Sequence, residues 1–286
     1  MNTSSIQLIE CPRDAMQGWT TLIPTAQKIE YINSLLQVGF HTIDFGSFVS
    51  PTAIPQMADT HQVLQGLSLT NTDTKLLAIV ANLRGAEQAV GYDAIDYVGF
   101  PFSISEVFQQ KNTNRSIAEA FELVCSIQEL CQQYNKTLVV YLSMGFGNPY
   151  GEAYHETLVL DWATKMAAVG VSIISLADTV GLASPGQVLS TTCLLVDALP
   201  QTTIGVHLHS TESQWQEKVQ AALEAGCRRF DGALRGIGGC PLSGNALVGN
   251  MNTERMIAYF QDGGWMDTLN QSALQQSLYL ANHLFV

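Results

Sequence analysis

Positive charge is scarce in this chain of 286 residues, in which 13 Lys and Arg face 25 Asp and Glu. A nucleic-acid-binding surface needs clustered cations, so a formal net charge of −12 argues against a nucleic-acid partner. Residues 1–10 lack the basic start and the long apolar run of a secretory signal. No apolar run reaches the roughly 18 residues that a membrane-spanning helix requires. We therefore expect a cytoplasmic protein with neither a nucleic-acid nor a membrane partner.

Paired cysteine motifs are also missing. The sequence has six cysteines, and no two of them form a CxxC pair. Without a signal segment, the simplest interpretation is a set of reduced thiols in a reducing compartment.

Short β-rich runs alternate with helical stretches along the whole chain. Most of these runs are continuously apolar, as expected for strands buried on both faces of a parallel sheet. The predicted strands are residues 6–11, 41–47, 75–81, 97–102, 137–144, 173–178, 204–209 and 229–234. The predicted helices are residues 24–38, 54–67, 116–133, 154–169, 185–199, 212–225 and 245–260.

Eight strands separated by connecting segments, with no linker between them, favour a closed barrel over an open doubly wound sheet. The predicted fold class is therefore α/β, a (β/α)8 TIM barrel over residues 1–262. Residues 263–286 follow as a C-terminal helical extension. Its apolar end could cap the barrel or pack against a second subunit.

In such barrels the active site lies at the C-terminal ends of the strands. His207 and His209 lie two apart near the end of the seventh predicted strand, so both side chains share one face. Two imidazoles on one face can share a metal ion, and the alternative is two histidines hydrogen-bonded to their neighbours. Asp14 follows the first strand beside Arg13 and would complete an O,N,N donor set. The alternative for Arg13 and Asp14 is an ordinary loop ion pair.

Two further carboxylates and one thiol are candidates. Asp44 and Asp178 lie in apolar strands, where an acidic side chain is costly unless it is paired or functional. For Asp178 the alternative is a structural hydrogen bond at the barrel mouth. Cys240 lies in a glycine-rich segment, residues 236–241, after the eighth strand. Such segments can act as mobile lids, and a thiol held there can serve as an acid or a nucleophile.

Taken in order, these segments resemble the 3-hydroxy-3-methylglutaryl-CoA (HMG-CoA) lyases, metal-dependent barrel enzymes related to isopropylmalate and homocitrate synthases. The resemblance spans roughly residues 6 to 262. Its Arg-Asp and HxH pairs are shared by the superfamily, whereas SFVSP and GGCP are closer to the lyases. The matching segments are residues 11–17 (CPRDAMQ), 47–51 (SFVSP), 54–57 (IPQM), 178–181 (DTVG), 207–209 (HLH), 238–241 (GGCP) and 249–250 (GN).

The resemblance implies a homodimeric enzyme that splits an acyl-CoA, HMG-CoA first of all, into acetyl-CoA and acetoacetate. It implies a divalent cation, Mg²⁺ or Mn²⁺, held by Asp14, His207, His209 and Asn250. The resemblance also implies catalytic roles. Arg13 would stabilise the enolate, Cys240 would assist proton transfer, and His207 or Asp178 would be the base. Asp44 would be an acidic residue of the site, and the pocket would be lined by Gln17, Ser47 and Ser175.

The sequence also departs from the family pattern. The family usually has Glu at the position of Asp44, and a basic residue common in the fifth strand is missing near Tyr141. Few cations remain for the CoA phosphates, and Lys111 and Arg115 are the nearest cluster. Two alternatives therefore stay open: a synthase that joins acetyl-CoA to a 2-oxo acid, and a barrel that binds an acyl-CoA without turnover. Against the synthase, such enzymes commonly carry an additional C-terminal domain.

Overall fold

A closed barrel of parallel strands forms the centre of the molecule, in a computed structural model that describes residues 5–239 and 248–286. Each strand pairs with the next in sequence, and the first closes on the eighth. This confirms the predicted (β/α)8 barrel. The strands are β1 (Gln7–Glu10), β2 (Thr42–Phe48), β3 (Lys75–Val80), β4 (Tyr97–Ser103), β5 (Thr137–Ser143), β6 (Ile173–Ala177), β7 (Thr203–His207) and β8 (Arg229–Gly232).

Alternation along the strands separates two apolar cores. In β3, Leu77 and Ile79 belong to a small cluster with Val139, Tyr141 and Ile173 from β5 and β6. The residues between them in β3 belong instead to the large core shared with the helices. Because successive side chains of a strand point to opposite faces, the small cluster fills the barrel interior. Burial on both faces explains why the strands read as continuous apolar runs.

Helices connect the strands around the barrel. They are α1 (Pro12–Gln17), α2 (Thr25–Leu36), α3 (Thr60–Gln65), α4 (Leu83–Val90), α5 (Glu106–Thr113), α6 (Ile117–Gln133), α7 (Glu156–Ala168), α8 (Pro185–Ala198), α9 (Trp215–Glu224), α10 (Thr253–Asp262) and α11 (Gln271–Leu284). Short 3-10 turns lie at Pro55–Met57 and Leu234–Gly236. Among the described helices, none combines the length and the apolar character that crossing a membrane would require.

Several helix boundaries differ from the prediction. The helix predicted over residues 54–67 is a 3-10 turn followed by the six-residue α3. The one predicted over residues 245–260 begins only at Thr253, because the Asn252 side chain accepts the Arg255 backbone N–H at 3.0 Å and caps the helix there. Helices α4 and α5 were not predicted. Both are short, and the residues that they bury include small or polar ones, such as Gly85 and Ala86 in α4 and Gln109 in α5, which give a weak apolar signal.

The C-terminal helix α11 packs on helix α2 of the same chain. The hydroxyls of Ser34 and Ser277 lie 2.9 Å apart across this contact. After the helix, the Phe285 ring meets Trp19 edge-on, with ring centroids 5.3 Å apart, and Tyr31 at 6.1 Å. The Phe285 ring is thus covered by its own barrel, whereas Tyr279 and Val286 stay exposed.

Candidate active site

An arginine–carboxylate pair lies at the carboxyl end of β1. The chain turns from β1 into α1 at Pro12, whose fixed φ suits the first turn of a helix, and this places Arg13 over β2. The Arg13 guanidinium holds the Asp44 carboxylate with Nε at 3.0 Å and Nη2 at 2.5 Å from Oδ2. Its Nη1 donates to Asp14 at 2.9 Å and to Gln17 at 3.3 Å. One buried cation therefore organises three of the predicted site residues.

Burial and charge act in opposite directions on this pair. Asp44 is fully buried in β2, and burial raises its pKa to about 6 even though Arg13 beside it favours the charged form. For Arg13 the two carboxylates outweigh burial and raise its pKa further, so it stays a cation. At neutral pH the pair is ionised, and the bidentate contact fixes the guanidinium at the rim.

The two predicted histidine ligands come from the end of β7. His207 Nδ1 faces Asp231 Oδ2 at 3.1 Å, and His209 Nδ1 faces the Gly249 carbonyl at 3.2 Å. Because a carbonyl or a carboxylate can only accept, each Nδ1 carries a proton, and Nε2 is the nitrogen that can bind a metal ion when the ring is uncharged. The ring centroids are 5.2 Å apart. Both imidazoles are thus in the tautomer that a metal ion needs.

Their protonation differs. Burial lowers the pKa of His209 to about 4, helped by His207 and opposed by Asp14. Burial acts the same way on His207, but there the hydrogen bond and charge of Asp231 outweigh it and raise the pKa. At neutral pH His209 is therefore an uncharged imidazole.

Asp14 and Asn250 meet across the rim although they are far apart in sequence. Asn250 Nδ2 lies 2.7 Å from Asp14 Oδ2 and 2.9 Å from the Ile237 carbonyl. Burial opposes ionisation of Asp14, but Arg13 and the two imidazoles hold its pKa well below the usual range. Gly238, at φ +107°, makes room for this contact, since a Cβ there would lie 2.5 Å from Asn250 Nδ2. The structure therefore brings all four predicted metal ligands to one region.

A cavity of about 450 Å³ opens at this end of the barrel. Arg13, Asp14, Gln17, His207 and His209 line it on one side, and a segment from the β4–β5 connection, residues 111–115, lines the other. That segment contains Lys111 and Arg115, the cations expected to meet CoA. We call this space the mouth cavity.

Two predicted pocket residues lie elsewhere. Ser175 is fully buried in β6. It lies on the same face of the strand as Ala177, two residues further from the mouth cavity that Ala177 lines. Ser47 lines a neighbouring groove beside α4. Both hydroxyls are buried with no hydrogen-bond partner among the described residues. Cys240, the predicted proton-transfer thiol, lies outside the described residues.

Asp178 is bound by groups that the sequence analysis did not single out. Its Oδ2 accepts the Lys218 ammonium at 2.9 Å, and its Oδ1 accepts the Ala183 backbone N–H at 3.1 Å. Lys218 is fully buried in α9 and also donates to the His209 carbonyl at 2.8 Å. Asp178 thus has the structural contact considered as its alternative role, and it connects α9 to the backbone of His209.

Two more residues of the site were missed. Asp231 orients His207, and it is an acidic residue inside an apolar strand, the same signal that identified Asp44. The other is Cys11, a buried thiol directly after β1. Among the described residues, the compact group of metal-binding side chains is Cys11, His207 and Asp231, whose ligand atoms all lie within 4.8 Å of one another.

Enzymes of the (β/α)8 class place their reacting groups at the carboxyl ends of the strands. Buried charges gathered at this end are costly without a function, so they mark the chain as a barrel enzyme.

Comparison with known proteins identifies the family. The HMGL-like family model matches residues 6–280, and the chain belongs to this family. The mitochondrial hydroxymethylglutaryl-CoA lyase of Mus musculus is 32% identical, over 88% of this chain and 77% of its own length. The cytoplasmic 3-hydroxy-3-methylglutaryl-CoA lyase of Rattus norvegicus is 33% identical, over 92% of this chain and 76% of its own.

Solved structures agree with this assignment. An HMG-CoA lyase from Acinetobacter baumannii, in complex with coenzyme A and 3-methylmalate, superposes with a TM-score of 0.91. It is 32% identical and is matched over 100% of this chain and 92% of that one. The Bacillus subtilis HMG-CoA lyase gives a TM-score of 0.90 at 30% identity, over 98% of this chain and 93% of its own. The predicted resemblance is confirmed.

Proposed function

We propose that this chain is a carbon–carbon lyase that cleaves HMG-CoA, or a close acyl-CoA, to acetyl-CoA and acetoacetate. The observation that carries this proposal is the Arg13 guanidinium, fixed by Asp44 at the wall of the mouth cavity beside Asp14 and the two imidazoles. Relatives about one-third identical over most of the chain bear the names of HMG-CoA lyases, and this supports the same reaction here.

The donor set fits a divalent cation. Asp14 is held ionised, His209 is uncharged, each imidazole uses Nδ1 for its hydrogen bond and leaves Nε2 for a ligand, and the Asn250 amide reaches Asp14. We propose that Asp14, His207, His209 and Asn250 hold Mg²⁺ or Mn²⁺. A cation bound there would supply Lewis acidity toward the oxygens of the substrate.

Arg13 supplies the second part of the chemistry. Cleavage of the C2–C3 bond leaves an enolate on the thioester fragment, and its oxygen carries the developing negative charge. A guanidinium already oriented by Asp44 can donate to that oxygen without reorganisation. Gln17 accepts a hydrogen bond from Arg13 Nη1 and helps to hold the guanidinium, while one N–H of Nη2 is left to donate to the enolate oxygen.

The proton of the C3 hydroxyl must leave before the bond breaks. We propose His207 rather than Asp178 as the group at the cavity wall suited to accept it, because both Asp178 oxygens are engaged by Lys218 and Ala183. Nε2 cannot bind a cation and accept this proton at the same time, so His207 would act as the base only while its Nε2 is released from the cation. We propose that Cys240 assists return of a proton to the enolate carbon, as the resemblance implies.

Coenzyme A would extend across the mouth cavity toward residues 111–115. Lys111 Nζ lies 4.4 Å from the centre of the Tyr150 ring, and Arg115 lines the same cavity. We propose that these cations meet the CoA phosphates. We also keep the homodimer, the cytoplasmic location and the division into residues 1–262 and 263–286 as proposals. Relatives of both mitochondrial and cytoplasmic type are similar to the chain.

A product assay tests the reaction. Purified protein incubated with HMG-CoA and Mg²⁺ or Mn²⁺ should yield acetoacetate and acetyl-CoA in equal amounts, measured by mass spectrometry, and a chelator should stop it. Thiol release from acetyl-CoA with 2-oxo acids would point instead to the synthase. Tight acyl-CoA binding in calorimetry without any product would favour the barrel that does not turn over.

A further inference from the structure

Three neighbouring strands bring a thiol, an imidazole and a carboxylate together beneath the mouth cavity. Register places His207 of β7 beside Asp231 of β8, because Val206 pairs with Phe230 one residue earlier. Cys11 follows β1, and its backbone N–H donates to the Gly232 carbonyl at 2.8 Å. The closed barrel, with β8 between β7 and β1, therefore creates this juxtaposition.

The three ligand atoms lie close together and have few hydrogen-bond partners among the described residues. All lie within 4.8 Å of one another, and the three residues are at most 9% exposed. Asp231 Oδ1 is buried without a hydrogen-bond partner among the described residues, although Oδ2 accepts from His207. Within the described part of the chain, the one hydrogen bond of the Cys11 thiol is a long contact of 3.9 Å with the Ile9 carbonyl. A buried carboxylate oxygen with no partner is costly and marks a place where an ion can bind.

We propose that Cys11, His207 and Asp231 form a second cation site, selective for thiophilic divalent metals such as Zn²⁺. A sulfur–nitrogen–oxygen donor set suits Zn²⁺ or Co²⁺, whereas Mg²⁺ requires oxygen ligands. Tetrahedral Zn²⁺ would place these atoms about 3.3–3.7 Å apart; His207 Nδ1 and Asp231 Oδ2 are already 3.1 Å apart, so the remaining approach, of about 1 Å at most, is that of the Cys11 thiol. A water from the mouth cavity would fill the fourth position.

The charges balance. On binding, the thiol gives up its proton to solvent and becomes a thiolate, so thiolate and carboxylate together neutralise the divalent ion. The Nδ1 nitrogen of His207, which now donates to Asp231, becomes a ligand, and its proton moves through solvent to Nε2. Nε2 is the nitrogen proposed above for Mg²⁺. Occupation of one site therefore excludes His207 from the other, and Zn²⁺ is expected to slow a Mg²⁺-dependent reaction.

Co²⁺ binding to this site can be detected without any substrate, so the result of the titration does not depend on the lyase proposal. The chelator-treated chain is titrated with Co²⁺ alone and followed for the near-ultraviolet charge-transfer band of a thiolate–Co²⁺ bond. We expect the band in the wild-type chain and its loss in Cys11→Ser, with about tenfold or more weaker Co²⁺ binding. Asp231→Asn should also weaken Co²⁺ binding.

Two matched thiol variants separate this site from others. Cys193→Ser removes a partly exposed thiol on α8, and Cys240→Ser removes the thiol of the GGCP segment. Both should keep the band. A band that survives in Cys11→Ser but disappears in Cys240→Ser would overturn the proposal, as would no band in the wild-type chain.

One measurement does not depend on the folding of Cys11→Ser. X-ray absorption of Zn²⁺ bound to the Cys240→Ser chain should show a sulfur scatterer at about 2.3 Å. A shell of nitrogen and oxygen only would overturn the site.

Discussion

Individual side chains of the site are held in place by neighbouring hydrogen-bond acceptors. His207 owes its tautomer to Asp231, His209 to a backbone carbonyl, and Arg13 its orientation to Asp44. In each case the partner is an acceptor that removes one degree of freedom from the functional group. Substitutions of the functional residue and of its partner should therefore differ in their effects on metal binding, turnover and stability.

Replacing His207 tests the ligand assignment. His207→Ala should lose bound Mn²⁺ and lower turnover by about two orders of magnitude or more, because one of four ligands is missing. Metal content is measured by mass spectrometry and turnover by acetoacetate release. His283→Ala, an exposed imidazole in α11, should change neither. Unchanged Mn²⁺ content in His207→Ala would show that His207 is not a ligand.

Replacing Lys218 tests the buried ion pair with Asp178. Lys218→Met leaves a buried carboxylate without its cation, and we expect a loss of about 3–5 kcal/mol in the free energy of unfolding. The double variant Lys218→Met/Asp178→Asn should recover much of this, because no uncompensated charge remains. Urea denaturation of the three chains measures the effect. Equal losses in the single and double variants would contradict the ion-pair explanation.

At the scale of elements, the active site depends on how connections leave the barrel. Helix α1 begins directly after β1 and carries Arg13 and Asp14 over the rim. The β8–α10 connection returns Asn250 to a bridge with His209. The C-terminal helix α11 is joined to this connection, since Arg235 donates to the Ala281 and Phe285 carbonyls at 3.3 and 3.4 Å.

The contact of the chain end with helix α2 gives a stability prediction. Phe285 is 4% exposed and packs on Trp19 and Tyr31, so Phe285→Ala should cost about 3 kcal/mol of unfolding free energy. The neighbouring Val286 is 93% exposed, and Val286→Ala should stay within about 0.5 kcal/mol of the wild type. Chemical denaturation compares them. Similar stabilities of the two variants would mean that the chain end does not stabilise the barrel.

At the scale of the whole molecule, charge is distributed unevenly between surface and interior. The chain carries a formal net charge of −12, yet Arg13, Lys218 and Arg229 are all buried. Acidic groups accompany two of these cations inside the barrel. The pH dependence of global stability should therefore reflect buried carboxyl groups.

Glu10 provides the test. Burial raises its pKa from an ordinary 4.5 to about 8, against hydrogen bonds from Thr253 and Leu234. The folded state thus holds a proton that the unfolded state releases, so its stabilising contribution is complete below about pH 4.5 and is lost as pH rises toward 8. We expect the wild type to lose stability relative to Glu10→Gln between pH 5 and 8, measured by urea denaturation. A constant difference would refute the raised pKa.

The barrel could be predicted because its cause is local. Most strands are continuous apolar runs, and regular alternation with helical segments allows few topologies. The short helices α4 and α5 escaped prediction because several of the residues that they bury are small or polar and give a weak apolar signal. Arg13, Asp14, His207 and His209 were found because polar groups at strand ends are conspicuous in an apolar sequence.

The sequence alone determined the parallel barrel, the end of it that carries the site and the family, because each depends on patterns and motifs read along the chain. Only the tertiary structure decided the partners. These partners come from strands and helices that are distant in sequence: Lys218 binds Asp178, Asp231 binds His207, and Cys11 lies beside Asp231 and His207. Which buried charges neutralise each other depends on a few ångströms of spacing across the closed barrel, and no local pattern encodes that distance.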